Sequence, residues 1–87
     1  MAQSVQNTSA VQIQRLPTVS NLTGLSRSTI YRRINQSLFP RPIPIGGDRV
    51  GWLSTEVEAI NKARISGKSD DQIKLLVSKL EAARGAI

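Results

Sequence analysis

The chain has 87 residues, 39 % of them hydrophobic, with no cysteine, no histidine and a net charge of +6. That length predicts one small domain that needs nearly all its apolar side chains in the core. Without Cys and His, a disulfide framework, the common zinc sites, the usual general base and the thiol nucleophile are excluded. The six acids, Asp48, Glu56, Glu58, Asp70, Asp71 and Glu81, form no recognisable carboxylate pair, and no Gly-rich phosphate loop is present. A non-enzymatic protein with no metal and no cofactor is therefore expected. No run of eighteen apolar residues suggests a membrane span, and MAQSVQNTSAVQIQ lacks the basic start and apolar centre of a secretory signal. The pI of about 10.9 points to a polyanionic partner. Arg15, Arg27, Arg32, Arg33, Arg41 and Arg49 face a single acid, Asp48, across residues 15–50.

In chain order, residues 1–14 are uncharged and rich in Gln, Ser, Asn and Thr, the composition of a flexible tail. The alternation Val11-Gln12-Ile13-Gln14 allows a short strand at its end. A first helix is predicted from LPTVSNLTGL, with Pro17 at its start, Val19 and Leu22 on one face, and Gly24 as its C-terminal stop. Leu25 supplies the apolar contact after that stop, and Ser26 caps a second helix over residues 27–36. A helix, a short Gly-containing turn and a second helix have helix-turn-helix spacing.

The second helix carries Ile30 and Ile34 inward. Ser28, Arg32 and Gln36 point outward, with Thr29, Arg33 and Asn35 beside them. Arginine can read guanine, Asn and Gln suit adenine, and Ser and Thr reach phosphates or bases. No acid opposes the positive end of the helix. The alternative is an amphipathic surface helix with solvated arginines.

Pro40, Pro42 and Pro44 then forbid a helix and favour an extended edge. Gly46-Gly47-Asp48-Arg49 reads as a turn, and Val50-Gly51-Trp52-Leu53 as the return strand of a hairpin. Arg49 at its tip and Arg41 at its base are candidate phosphate contacts, or solvated arginines on a structural ribbon. Trp52 is expected in the core, against Phe39 and the third helix. Thr55-x-x-Glu58 resembles a capping box for that helix, with Val57, Ile60 and Ile65 inward and Gly67 at its end. A second capping box, Ser69 with Gln72, starts a fourth helix reaching about Arg84. Its stripe Ile73, Leu76, Val77, Leu80 either folds back as core or meets another protein molecule.

Taken together, G-L-S-R-S-T-I-Y-R, the following F-P, the turn before V-G-W and the S-x-x-E-V after it resemble AlpA-type phage and genomic-island regulators. That group is similar to small excisionases, or recombination directionality factors, and more remotely to MerR-like winged helices. The resemblance covers about residues 16–60. It implies a mainly α fold with a small β-hairpin, a winged helix-turn-helix over residues 15–66; the capping box at Ser69 and the apolar stripe add an extra C-terminal helix over 69–87, which the resemblance does not reach. It implies double-stranded DNA as partner, with Arg27, Ser28, Thr29, Tyr31 and Arg32 at the major groove or its phosphate walls. Arg33, Gln36, Arg41 and Arg49 complete the candidate DNA-binding set. Arg33 stands where many relatives carry an apolar residue, which leaves a phosphate contact and an internal salt bridge both open.

The resemblance implies an excisionase-like role in the bacterial cytoplasm, at the nucleoid, which the short basic chain without a ligand-sensing domain favours over promoter control. In that role the protein binds and bends attachment-site DNA beside a tyrosine-type integrase and self-associates head-to-tail on DNA. Ile73, Leu76, Val77 and Leu80 are the candidate contact. The alternatives are a promoter-binding regulator of the same group and an adaptor that works through the fourth-helix stripe.

Overall fold

A computed structural model describes residues 11–86. The elements, in order, are β1 (Ile13–Gln14), α1 (Leu16–Thr23), α2 (Arg27–Asn35), β2 (Ile43–Gly46), β3 (Arg49–Leu53), α3 (Ser54–Ile65), α4 (Asp70–Ala82) and a 3₁₀ turn (Ala83–Ala86). The fold is a winged helix-turn-helix with an additional C-terminal helix. The strands form one antiparallel sheet in the order β1-β3-β2. β1 pairs Ile13 with Leu53 and Gln14 with Trp52, so the short strand that the alternation over residues 11–14 allows is present at its end and belongs to the sheet. The rest of the expected tail, residues 1–10, lies outside the described residues.

Local chemistry accounts for the helix-turn-helix. Gly24 takes φ 74° and its N–H reaches the Ser20 carbonyl, which ends α1 as a left-handed cap. The turn is fastened twice more: the Ser20 hydroxyl donates to the Leu25 carbonyl, and the Thr23 hydroxyl accepts from the Leu25 N–H at 3.3 Å. Ser26 then accepts from the Thr29 N–H and starts α2. α2 ends differently. Ser37 adopts φ 63°, its N–H meets the Ile34 carbonyl, and the Leu38 N–H meets the Arg33 carbonyl at 2.8 Å. That is a Schellman cap built without glycine.

The core joins all four helices and the sheet: Val19, Ile30, Leu38, Phe39, Trp52, Val57, Ile60, Ala63, Ile73 and Val77. Trp52 is fully buried, its indole N–H donates to the Pro40 carbonyl at 3.1 Å, and its ring meets Tyr31 edge-on. Burying such a ring is worth at most about 4–6 kcal/mol by area. Gly51, in the central strand, leaves the room that Ile13 needs: a Cβ there would lie 2.4 Å from Ile13 Cγ2 and 3.2 Å from the Gln14 carbonyl oxygen.

Three expectations need correction. Leu22 is half exposed although Val19 is buried, because three residues turn a helix about 60° short of a full circle. Ile65 is 85 % exposed, since it sits about 140° from Ile60; Ala63 takes the core position instead. The Thr55–Glu58 capping box is absent. α3 begins two residues earlier with Leu53 at the N-cap, the Ser54 hydroxyl accepts from the Gln12 N–H, and Glu58 pairs with Lys62. The capping box of α4 is present, with Ser69 and Gln72 bonded reciprocally.

α4 folds back. Ile73 and Val77 are buried, and Leu76 and Leu80 pack against the same core. The apolar stripe is therefore consumed within the chain, and these four residues do not present the open self-association face considered above. The reason is geometric: the short turn after Gly67 reverses the chain and lays α4 on α3.

Candidate nucleic-acid interface

α2 presents two unlike sides. Ile30 is fully buried and Ile34 half-buried, which anchors the helix. Arg27, Ser28, Arg32, Asn35 and Gln36 are exposed. Neither Arg27 nor Arg32 forms an ion pair among the described residues. Arg27 instead lies over the Tyr31 ring, 5.4 Å from its centroid, and Tyr31 in turn leans on Trp52 at 6.1 Å. That stack ties the position of a surface arginine to the deepest aromatic in the core. Thr29 is half-buried, and its hydroxyl accepts from Ser26 at 3.0 Å, so part of its hydrogen-bonding capacity serves the cap.

Beside α2 stands the hairpin. Ile43 pairs with Gly51, Pro44 with Val50 and Gly46 with Arg49, with an irregularity between Pro44 and Gly46. Gly47 and Asp48 form the tip, and Arg49 is exposed next to it with no ion pair among the described residues. A cleft of about 350 Å³ separates hairpin from helices, with Arg15, Arg27, Tyr31, Asp48 and Val50 on its walls.

Two candidate arginines lie elsewhere. Arg33 is half-buried on the rear of α2. Burial, then Arg64, then Arg32 push its pKa down, and Asp70 partly offsets them. Asp70 is itself held by Arg64 at 3.3 Å, and Arg33 forms no ion pair among the described residues, so the internal salt bridge left open for it is not made. Arg41 points to α4. Its guanidinium pairs with Glu81 at 3.2 Å, and its backbone N–H reaches the same carboxylate at 2.9 Å. Glu81 is disfavoured as an anion by burial, but the Arg41 N–H, the Arg41 guanidinium and nearby Arg84 together keep its pKa below the ordinary range. Arg41 is thus a joint between the hairpin base and α4.

That joint includes a pair that composition concealed. Glu56, only 3 % exposed, receives both Nε and Nη2 of Arg84, at 2.9 and 2.7 Å. Arg84 Nη2 also donates to the Arg41 carbonyl. The bidentate hydrogen bond to Glu56 raises the Arg84 pKa against its burial. The residues are 28 apart, and no local spacing announces them. Arg15, outside the expected set, lines the cleft beside Arg27.

Together the fold and this surface define a winged helix-turn-helix protein with an unneutralised basic helix beside its wing. The chain belongs to the family described as prophage CP4-57 regulatory protein (AlpA), whose model matches residues 12–65, more than half of the sequence. It is 48 % identical over 54 residues to an uncharacterized ORF88 protein of Enterobacteria phage P4, a match covering 62 % of this chain and 61 % of that protein. It is 38 % identical over 60 residues to the DNA-binding transcriptional activator AlpA of Escherichia coli K12, covering 62 % of this chain and 86 % of that protein. The chain thus spans about three fifths of the phage P4 relative. No solved structure matches it. Among the described residues, no helix is long and apolar enough to cross a membrane.

Proposed function

We propose that the protein is a sequence-specific binder of double-stranded DNA that regulates a mobile genetic element. One observation carries this reading. α2 projects Arg27, Ser28, Arg32, Asn35 and Gln36 into solvent, free of any carboxylate partner among the described residues, beside a hairpin that carries Arg49. Guanidinium, hydroxyl and amide groups in that order suit base edges in a major groove. Arg32 and Ser28 read bases, with Thr29 contributing its remaining capacity, while Arg27, Tyr31 and Arg49 position the helix on phosphates.

Promoter control is the task favoured here, because the AlpA relative is a DNA-binding transcriptional activator matched over most of its length. Excision with a tyrosine-type integrase uses the same surface and is the second task. It calls for copies arranged head-to-tail, with contacts other than the α4 stripe. Selection of bound duplexes from a random pool separates the two. Inverted repeats indicate a two-fold dimer at a promoter, and direct repeats at fixed spacing indicate head-to-tail copies. No enrichment above non-specific binding overturns the DNA-reading proposal itself.

A further inference from the structure

The cleft between α1, α2 and the hairpin has a charge arrangement that base reading alone does not use. Arg15 sits at the N-cap of α1, exposed, and its side chain makes no hydrogen bond or ion pair among the described residues. Arg27 lines the same space from the first position of α2, steadied on the Tyr31 ring. Tyr31 stands one turn further along, propped from behind by Trp52. Val50 and Asp48 close the hairpin side. Arg15 from one stretch of chain and Arg27 and Tyr31 from another thus line the same space of about 350 Å³. One carboxylate, Asp48, stands across from them and pairs with neither arginine.

Neighbouring cations that no carboxylate pairs with make a seat for an external anion. The location selects which. The cleft lies between the base-reading face of α2 and the tip of the wing, so a duplex engaged by both must pass its sugar-phosphate backbone between them. We infer that Arg15, Arg27 and the Tyr31 hydroxyl form a seat for one DNA backbone phosphate, and that Asp48 on the facing wall weakens its hold. The inference rests on the DNA-binding reading above and deepens it. Arg15 is a positioning residue in this scheme: it fixes register and carries no sequence information. Asp48 keeps the grip moderate by like-charge repulsion across the cleft, which salt screens.

The test is fluorescence anisotropy of the full-length chain on a selected duplex and on its scrambled version, across a salt series. Arg15→Gln is expected to weaken both duplexes alike and to reduce the slope of log K against log salt by about 0.9, the loss of one neutralised phosphate. Arg15→Lys is expected to restore the slope. Asp48→Asn is expected to tighten both duplexes several-fold at low salt. An Arg15→Gln slope equal to wild type removes the seat. So does an Arg15→Gln loss confined to the selected sequence, which would make Arg15 a base reader. Unchanged or weaker binding by Asp48→Asn removes the opposing role of that carboxylate. Inorganic phosphate titrated at constant ionic strength distinguishes a free anion: saturable shifts of the Arg15 and Arg27 side-chain NMR signals, with the Arg15→Gln slope unchanged, would reassign the cleft. A wild-type chain that binds no duplex overturns the broader reading; a wild type that binds with an unaltered Arg15→Gln slope overturns the seat alone.

Discussion

The two halves of the molecule treat the same residue type in opposite ways. In the helix-turn-helix and hairpin, Arg15, Arg27, Arg32 and Arg49 have no carboxylate partner among the described residues. In α3, α4 and the closing 3₁₀ turn, four of the five acids find cations among the described residues: Glu56 with Arg84, Glu58 with Lys62, Asp70 with Arg64, and Glu81 with Arg41 borrowed from the hairpin base. The first half stores uncompensated positive charge on a surface. The second uses charge mostly to hold itself together and, through Glu81, to grip the hairpin base. An arginine therefore reports its job by its partners, and a count of arginines does not.

The sharpest way to break this comparison is at the buried pair. Arg84→Ala leaves Glu56 inside the fold as an unpartnered carboxylate. The expected cost is about 3–5 kcal/mol of folding free energy, read from urea unfolding. A loss below about 1 kcal/mol, the range of exposed pairs, would place Glu56 in contact with water and dissolve the contrast. Arg32→Ala should do the reverse. Its stability should stay within about 0.5 kcal/mol of wild type, while affinity for the selected duplex falls by ~1–3 kcal/mol and preference at one base position relaxes. Full base preference in that variant would take Arg32 out of the reading set.

Gly51→Ala tests how the sheet joins the halves. With Ile13 Cγ2 only 2.4 Å from the new Cβ, the strand β1 must shift, at an expected 1–3 kcal/mol by overpacking, about what other tight cores lose. An unchanged melting temperature would mean that β1 moves aside freely. A smaller effect, of opposite sign, is expected where α2 ends: Ser37→Gly relieves a left-handed serine and should stabilise by roughly 0.5–1 kcal/mol in thermal melts. The smallest effect concerns pH. Glu81 has a lowered pKa in the fold, so its contribution is complete above the ordinary glutamate value and is lost as pH falls below it towards the folded value. The stability difference between wild type and Glu81→Gln should therefore shrink below about pH 4.3. A difference that grows with acid would contradict the assignment.

What was legible in the chain was whatever acts within one turn of a helix. Gly24, Ser26, Ser69 and Gln72 announce their caps because capping partners lie two to four residues away. Ile30 as anchor, and Ser28, Arg32 and Gln36 as the outer face, follow from helical period alone. The features that escaped depend on residues far apart in sequence. Ile13 meets Leu53, Glu56 meets Arg84, and Arg41 meets Glu81. Spacing carries no trace of such pairs, so the charge of Arg41 is legible in the sequence but its Glu81 partner is not. Ser37 escaped for a different reason: a glycine would have marked the end of α2, and serine does not. The stripe of α4 was visible as apolar, but which surface it covered was decided by the reversal at Gly67.

The central claim is that DNA contacts the unpaired arginines of one half and leaves the paired charges of the other alone. It is tested most directly by titrating the isotope-labelled full-length chain with the selected duplex and following backbone amide NMR signals. The account predicts large shifts at Arg15, along residues 27–36 and around the hairpin tip at residues 46–50, with α4 nearly unmoved. Shifts concentrated in residues 70–86, with α2 silent, would contradict it.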